Sequence, residues 1–452
     1  MSPRKTSPST PDPAPSTTQP AVRDAVIVGG NRIPFARAGS AYRTASNQEM
    51  FTAALEGLVA RFGLQGERLG EVVGGAVLKH SRNFNLIRES VLGSSLDAAT
   101  PAYDLQQACA TGLEATIAVA NKIRLGQQDS GVAGGTDTVS DAPIAVSEGL
   151  RRVLLEAQHA KTTQARLKAF AKLRPADLKP NPPGTDEPRT GLSMGEHQAI
   201  TTAQWGITRE AQDELALASH QNLAAAYEAG FFDDLVTPFR GLSRDNNLRT
   251  DSSLEKLAKL KPVYGKNLAG TEPSMTAGNS TPLTDGASTV LLASREWAAE
   301  RSLPVLARFV DAETAAVDFV HGAEGLLMAP AYAVPRLLAR NGLTLGDFDF
   351  VEIHEAFAST VLTILAAWED DTFCRERLGL DAPLGKVDRS VLNVHGSSLA
   401  AGHPFAATGG RIVASTAKML SQRAAETGRP ARALISICAA GGLGATAILE
   451  SA

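Results

Sequence analysis

An α/β fold, with a mostly parallel sheet and helices on its faces, follows from three observations. Short apolar runs that end in glycine alternate with stretches of helical periodicity. The alternation breaks once, over residues 144–205, and restarts after Leu303. The two halves also share a slight echo: Val132-Ala-Gly-Gly135 and Ala439-Ala-Gly-Gly442 each close an apolar strand, the kind of repeat that internal duplication leaves.

The elements follow in order. Residues 24–30 form a short apolar run ending in Gly29-Gly30, which reads as a buried strand. Ser46-Asn-Gln-Glu49 is a capping box. Behind it Met50, Ala54, Leu55, Leu58, Val59 and Phe62 recur at helical spacing up to Gly63. Residues 72–77 predict a second strand, 111–125 a helix and 131–136 a further strand. Residues 151–173 are helical in pattern and rich in Lys and Arg, and the Pro-rich stretch 179–188 is a loop. Together they make an insert over one face of the sheet. Its basic stretch is either a solvated helix face or a surface for an anionic ligand or membrane. Helical signals resume over 208–229, and 287–293 reads as a strand behind a Gly/Asn/Ser/Thr loop. Beyond Leu303 the elements fall at 305–311, 330–341, 348–353, 355–368, 409–420 and 434–440.

Bulk properties narrow the function. A chain of 452 residues has room for a large core and for more than one domain. A formal net charge of -4 and 5% aromatic residues argue against nucleic acid as a partner. Three cysteines cannot build a disulfide framework, so reduced thiols in a cytoplasmic setting fit better. No apolar run is long enough for a transmembrane helix. Residues 1–20, with six prolines among Ser and Thr, predict a disordered tail.

Two of the cysteines sit among small residues. Cys109 lies in Gln-Gln-Ala-Cys-Ala-Thr-Gly before a helix, where the dipole and free N–H groups lower a thiol pKa. Cys438 ends a strand ahead of Ala-Ala-Gly-Gly, a turn able to offer N–H groups to an oxyanion. For both, an inert core cysteine remains the alternative. His403, in Gly-His-Pro at a tight turn, is a base or a structural histidine. His354, at the end of the strand 350–353, holds a water or substrate, or caps the strand. Cys374 has no glycine turn and reads as structural.

Three motifs mislead. His354-Glu-Ala-Phe-Ala begins like a zinc motif, but Ala358 stands where the second His belongs, so no metal is expected. Gly191-Leu-Ser-Met-Gly195 matches a nucleophile elbow around Ser193, but a Pro-rich loop precedes it where a buried strand should. Gly442-Leu-Gly-Ala-Thr-Ala447 matches a dinucleotide fingerprint, yet too little chain follows for its helix and second strand.

Assembled, these residues resemble the thiolases, from about residue 25 to 450. The resemblance rests on Cys109-Ala-Thr-Gly112, Ala133-Gly-Gly-Thr-Asp137, Met194-Gly195, Thr276-Ala-Gly-Asn-Ser280, Asp285-Gly-Ala287, His354-Glu-Ala-Phe357, Gly402-His-Pro404 and Cys438-Ala-Ala-Gly-Gly442. It implies duplicated α/β halves in αβαβα layers with an inserted loop domain. The expected division is a tail at 1–20, an N-terminal half at 21–143 and 256–300, the insert at 144–255, and a C-terminal half at 301–452. Coenzyme A and acyl-CoA are implied as substrates, with no permanently bound cofactor and no metal. A homodimer or homotetramer is implied as well.

The resemblance also implies roles. Cys109 would accept the acyl group, His403 would activate it, and Cys438 would move the C2 proton of acetyl-CoA. The N–H groups of Cys109 and Ala440 would form an oxyanion hole. Met194 would wall the acyl group, and Ala277, Ser280 and Thr281 would line the pantetheine tunnel. The sequence departs from the family in four places. His354 stands where many thiolases carry Asn, and this is similar to the β-subunit type of fatty-acid oxidation complexes, which suggests a hydratase/dehydrogenase partner. Ser397 and Ala406 replace common glycines, and Ala440 replaces a glycine of some relatives. The rival readings are a ketoacyl synthase of the same fold, which would lack the second catalytic Cys, a Ser hydrolase using Ser193, and a non-enzymatic scaffold subunit.

Overall fold

The computed structural model describes residues 22–268, 270 and 272–452. The tail expected at 1–20 lies outside the described residues. The described residues form ten strands: β1 (Ala25–Arg32), β2 (Ala36–Arg37), β3 (Glu71–Gly74), β4 (Ala102–Asp104), β5 (Ser130–Asp137), β6 (Thr284–Ser294), β7 (Ala307–Ala316), β8 (Phe350–Ile353), β9 (Arg432–Ala439) and β10 (Leu443–Ser451). Their order is β4-β3-β5-β6-β1-β7-β10-β9-β8, with β2 paired to β6 off this path.

Halving that order exposes the duplication. In the first half β1 pairs with β6, β6 with β5, and β5 with β3; in the second β7 pairs with β10, β10 with β9, and β9 with β8. The two half-sheets meet where Ala25–Ile27 pairs antiparallel with Phe309–Ala307.

The expectation of a mostly parallel sheet is wrong. Only β3–β4, β3–β5 and β8–β9 are parallel, and the five other pairings along the sheet are antiparallel. Two strands cause this. The long β6 returns from the insert and runs antiparallel between β1 and β5. The turn at Ala440-Gly-Gly442 is a hairpin whose second arm is β10. Sequence reading assigned no element to that arm, because it was weighed only as a failed dinucleotide site.

The helices are α1 (Asn47–Phe62), α2 (Leu86–Leu92), α3 (Thr111–Arg124), α4 (Glu148–His159), α5 (Thr163–Phe170), α6 (Met194–Gln204), α7 (Arg209–Glu228), α8 (Leu254–Ala258), α9 (Arg295–Glu300), α10 (Ala329–Asn341), α11 (Ala358–Glu369), α12 (Asp371–Glu376), α13 (Ser398–Ala401) and α14 (Ala407–Thr427). The capping box at Ser46 and Glu49 starts α1 as its sequence requires, and Gly63 ends it at φ 65°. The single basic helix expected over 151–173 is instead a hairpin of α4 and α5. Ala160 is extended, and the Thr162 side chain caps α5 by accepting from Ala165 N–H.

Strand alternation sorts the core into layers. Val26, Val28 and Leu291 point to one face, against Met50, Leu55 and Leu58 of α1. Ile27, Val290 and Leu292 point to the other, into a central core shared with Leu113 and Val119 of α3, Ile412 and Val413 of α14, and Ile435, Ile437 and Leu449 of the second half-sheet. The outer face of that second half-sheet, with Val351, Leu434 and Ile448, packs on Val334, Leu337 and Leu338 of α10 and Val361 and Ile364 of α11. The layers are therefore helix, sheet, helix, sheet, helix.

α3 and α14 cross in the middle layer at glycines. A Cβ on Gly409 would lie 2.2 Å from Leu113 N, and one on Gly112 would lie 2.7 Å from Gly410 N. Only glycine permits so close an approach. The N-terminal ends of both helices are thereby brought together.

Candidate active site

The two helix starts carry Cys109 and His403. Cys109 sits in a 3-10 turn, Ala108–Ala110, that leads into α3. Ala108 has φ 45°, a left-handed conformation that costs a non-glycine residue on the order of 1–2 kcal/mol. Thr111 holds the turn: its Oγ1 accepts from Gln107 N–H at 2.9 Å and donates to Ala108 O at 2.7 Å. Across the crossing, His403 Nε2 lies 3.0 Å from Cys109 Sγ. His403 Nδ1 lies 2.6 Å from Thr408 Oγ1. With Nδ1–H donating to Thr408, Nε2 is left free to accept the thiol proton.

His354 completes the cluster from the end of β8. Its ring lies over that of His403, with centroids 4.1 Å apart. Its Nδ1 is 2.8 Å from Ser398 Oγ, and Arg411 Nη2 donates to that same oxygen at 3.2 Å. An Arg only donates, so the Ser398 hydrogen is free to bond Nδ1. His354 then carries its proton on Nε2, and this buried atom has no hydrogen-bond partner among the described residues.

Cys438, 2% exposed, lies close enough to Cys109 for the two thiols to affect each other's ionisation. The backbone N–H groups of Ala440 and Cys109 favour the Cys109 thiolate. The apolar side of Cys438 packs with Leu326, Leu327, Phe357, Met194 and Phe319.

Burial dominates the electrostatics. It pushes the Cys109 thiol up to about 12, opposed by the Ala440 and Cys109 N–H groups. It pushes His403 down to about 3, helped by the charge of Arg411, and His354 well below its usual range for the same reason. Cys438 is likewise pushed up by burial. The resting site is thus a neutral thiol beside a neutral imidazole.

Cys109, His354 and His403 offer ligand atoms all within 4.8 Å of one another. Around them, the Ala440 and Cys109 N–H groups favour a negative charge on Cys109, and the charge of Arg411 disfavours a proton on His403. Donors and a guanidinium suit a developing anion and repel a cation.

The other anticipated residues fall around this centre. Met194 is the first residue of α6 and packs in the Cys438 cluster. Ser280, buried with its Oγ unpartnered, bridges Phe357, and Thr281 Oγ1 donates to Ala356 O at 3.0 Å. Both therefore touch the segment that follows His354. Ala277 is exposed on the same loop. Ser193 is a helix cap whose Oγ accepts from Glu196 N–H at 3.2 Å. Cys374 is buried, its thiol donating to Ala367 O and Trp368 O.

Several supporting residues were given no role in advance. Asp137 accepts from Val77, Leu78 and Ala406 N–H, tying the His403 loop to the Cys109 half, and burial pushes it up to about 7. Asp285 accepts from Val139 and Ser140 N–H. Glu355 accepts from Ser219, Asn393 and Leu399. Arg411 was detectable in principle, as the one charge in a small-residue helix start.

The fold, with its gathered cysteines and histidines, is that of a coenzyme A-dependent thiolytic acyltransferase. The chain belongs to the thiolase family. The family models for the thiolase N-terminal domain and the thiolase C-terminal domain match residues 25–296 and 303–451. A protein named 3-ketoacyl-CoA thiolase from Yersinia pestis (strain Pestoides F) is 41% identical over 431 residues, covering 94% of this chain and 96% of that one. Among solved structures, the Bacillus anthracis acetyl-CoA acetyltransferase superposes with TM-score 0.76 at 30% identity, covering 96% of this chain and 100% of that one. Human mitochondrial 3-ketoacyl-CoA thiolase superposes with TM-score 0.76 at 26% identity, covering 95% and 99%.

Proposed function

We propose that this chain catalyses the thiolysis of 3-ketoacyl-CoA to acetyl-CoA and a shortened acyl-CoA, and the reverse Claisen condensation, through an acyl-cysteine. The observation that carries the reading is Cys109 Sγ held 3.0 Å from His403 Nε2, with the Ala440 and Cys109 N–H groups favouring its thiolate and a second thiol near enough to affect its ionisation. Cys109 attacks a thioester carbonyl while His403 takes its proton. Coenzyme A leaves as the thiol, reprotonated by His403. The Cys109 and Ala440 N–H groups hold the oxyanion of this step. In condensation the Cys438 thiolate removes a C2 proton from acetyl-CoA, the carbanion attacks the acyl-cysteine and expels the Cys109 thiolate, and Cys438 passes that proton on to Cys109. His354 Nε2–H holds the second thioester oxygen, with the His403 ring lying against it.

In thiolysis Cys438 returns that proton to the departing enolate, a role that its burial as a neutral thiol suits. Met194 walls the acyl group, and Ala277, Ser280 and Thr281 line the path of the pantetheine arm. The relatives carry both names, 3-ketoacyl-CoA thiolase and acetyl-CoA acetyltransferase. Rates of thiolysis across chain lengths, run beside acetyl-CoA condensation, separate acyltransferase from acetyltransferase.

The finer readings stand on the same footing. The chain divides at 21–143 with 256–300, 144–255, and 301–452. It works in the cytoplasm on fatty-acid oxidation as a homodimer or homotetramer, and no helix among the described residues is long and apolar enough to cross a membrane. Leu154, Leu155, Leu167 and Phe170 stand exposed on the α4–α5 hairpin beside Arg151, Arg152 and Lys168, a surface for the hydratase/dehydrogenase subunit or for a membrane. Ser193 is occupied as a cap, and two catalytic cysteines disfavour a ketoacyl synthase. Incubation with acyl-CoA tests the core of the proposal: peptide mass mapping should find one acyl group on Cys109. A label on Cys438 or Cys374, with Cys109 unmodified, would overturn it.

A further inference from the structure

The turn that supplies Ala440 is flexible by composition and must be fixed from outside. Gly441 and Gly442 follow with φ 80° and 73°, two successive left-handed residues that glycine adopts without preference. Two contacts hold them. Val317 N–H donates to Gly442 O at 2.8 Å from the C-terminal half. On the other side Gly441 N–H donates to Glu187 Oε1 at 2.8 Å. Glu187 is buried, and its carboxylate makes no ion pair among the described residues.

Glu187 belongs to the insert, and its own backbone is rigidly placed. Its N–H donates to Leu192 O at 2.9 Å, and its carbonyl accepts from Gly191 N–H at 2.8 Å. The chain then runs through the Ser193 cap into α6, whose first residue, Met194, packs in the Cys438 cluster. A buried carboxylate with no cation is costly to keep unless its hydrogen bond matters. The group it bonds is the peptide adjoining Ala440.

We propose that Glu187 is a positioning residue for acyl transfer: it fixes the Ala440-Gly441-Gly442 turn so that Ala440 N–H is aimed at the oxyanion on the Cys109-bound acyl group. The inference rests on the assignment of Ala440 to that hole. It makes the insert a working part of the active site, because the insert sets one of two oxyanion donors. The two half-reactions separate the effect. Acylation of Cys109 uses this hole. Exchange of the C2 hydrogens of acetyl-CoA with solvent deuterium uses Cys438 with the histidine side of the site.

The test compares wild type, Glu187→Ala and Glu187→Gln in single-turnover acylation by acyl-CoA and in deuterium exchange. Losing an oxyanion donor outright costs about 10²–10³-fold, so misaiming one through Glu187→Ala should slow acylation on the order of 10–10²-fold. Exchange should stay within about threefold of wild type, with KM for acyl-CoA little changed. Glu187→Gln keeps an accepting carbonyl and should restore acylation to within about threefold of wild type. Equal slowing of both half-reactions by Glu187→Ala would show a merely structural role. Unchanged acylation, or no rescue by Gln, would also overturn the inference. A wild type that neither acylates Cys109 nor exchanges would instead count against the proposed function.

Discussion

The crossing of α3 and α14 sets the distance between Cys109 and His403, and Gly409→Ala measures how tightly. The new Cβ would sit 2.2 Å from Leu113 N, 2.8 Å from Gly112 C and 3.1 Å from Gly112 Cα. All three are backbone atoms of α3 and cannot swing aside as a side chain would. Restoring ordinary contact requires the helices to part by roughly 1 Å in a close-packed layer. Overpacking of this kind costs about 1–3 kcal/mol of stability. The Sγ to Nε2 separation of 3.0 Å must open as well, because each group sits just ahead of its helix. A misplacement of about 1 Å between reacting groups costs on the order of 10²-fold in rate. The assay is single-turnover acylation of Cys109, read beside the urea midpoint. Gly346→Ala is the control, since a Cβ there meets nothing nearer than 3.8 Å. A Gly409→Ala enzyme with wild-type stability and wild-type acylation would refute the claim that this crossing positions the pair.

Two further outcomes follow from the histidines. His354→Ala should cost roughly 2–4 kcal/mol of transition-state stabilisation, the range for losing an oxyanion donor, and activity should be indifferent to chelators; inactivation by a chelator that zinc reverses would contradict this. His403 is held neutral down to about 3, so it remains able to accept a proton well below the unperturbed value near 6.5. The pH profile of Cys109 acylation should therefore show no acid limb around pH 6.5, and half-loss of the rate there would show that His403 titrates freely.

The sequence carried the chemistry better than the geometry. Cys109, His403 and Cys438 were recognisable by small neighbours at an element boundary and His354 by its place at a strand end, and the structure gathers all four. Helix α1 was legible to its caps, because a capping box and a terminal glycine are local signals. Strand direction was not local. Apolar runs look alike in parallel and antiparallel pairings, so the returning β6 and the β10 arm went unrecognised as antiparallel partners. The Ala160 break in the basic insert was hidden by unbroken helical composition on either side. Residues that act through partners far along the chain were also silent. Asp137 reaches the Ala406 N–H across 269 positions, and Glu187 the Gly441 N–H across 254. Their roles exist only once the halves and the insert have packed.

The division of labour between the two cysteines is the centre of the account, and Cys438→Ala tests it most directly. Acylation of Cys109 needs His403 and the N–H groups of Cys109 and Ala440, none of which the substitution touches. Condensation also needs a C2 proton removed, and thiolysis needs one returned. The variant should therefore still take one acyl group on Cys109 from acyl-CoA. It should lose condensation, thiolysis and the exchange of acetyl-CoA methyl hydrogens with solvent deuterium, which the wild type should catalyse. Exchange at the wild-type rate in Cys438→Ala would contradict the account and move the base to His403 or His354.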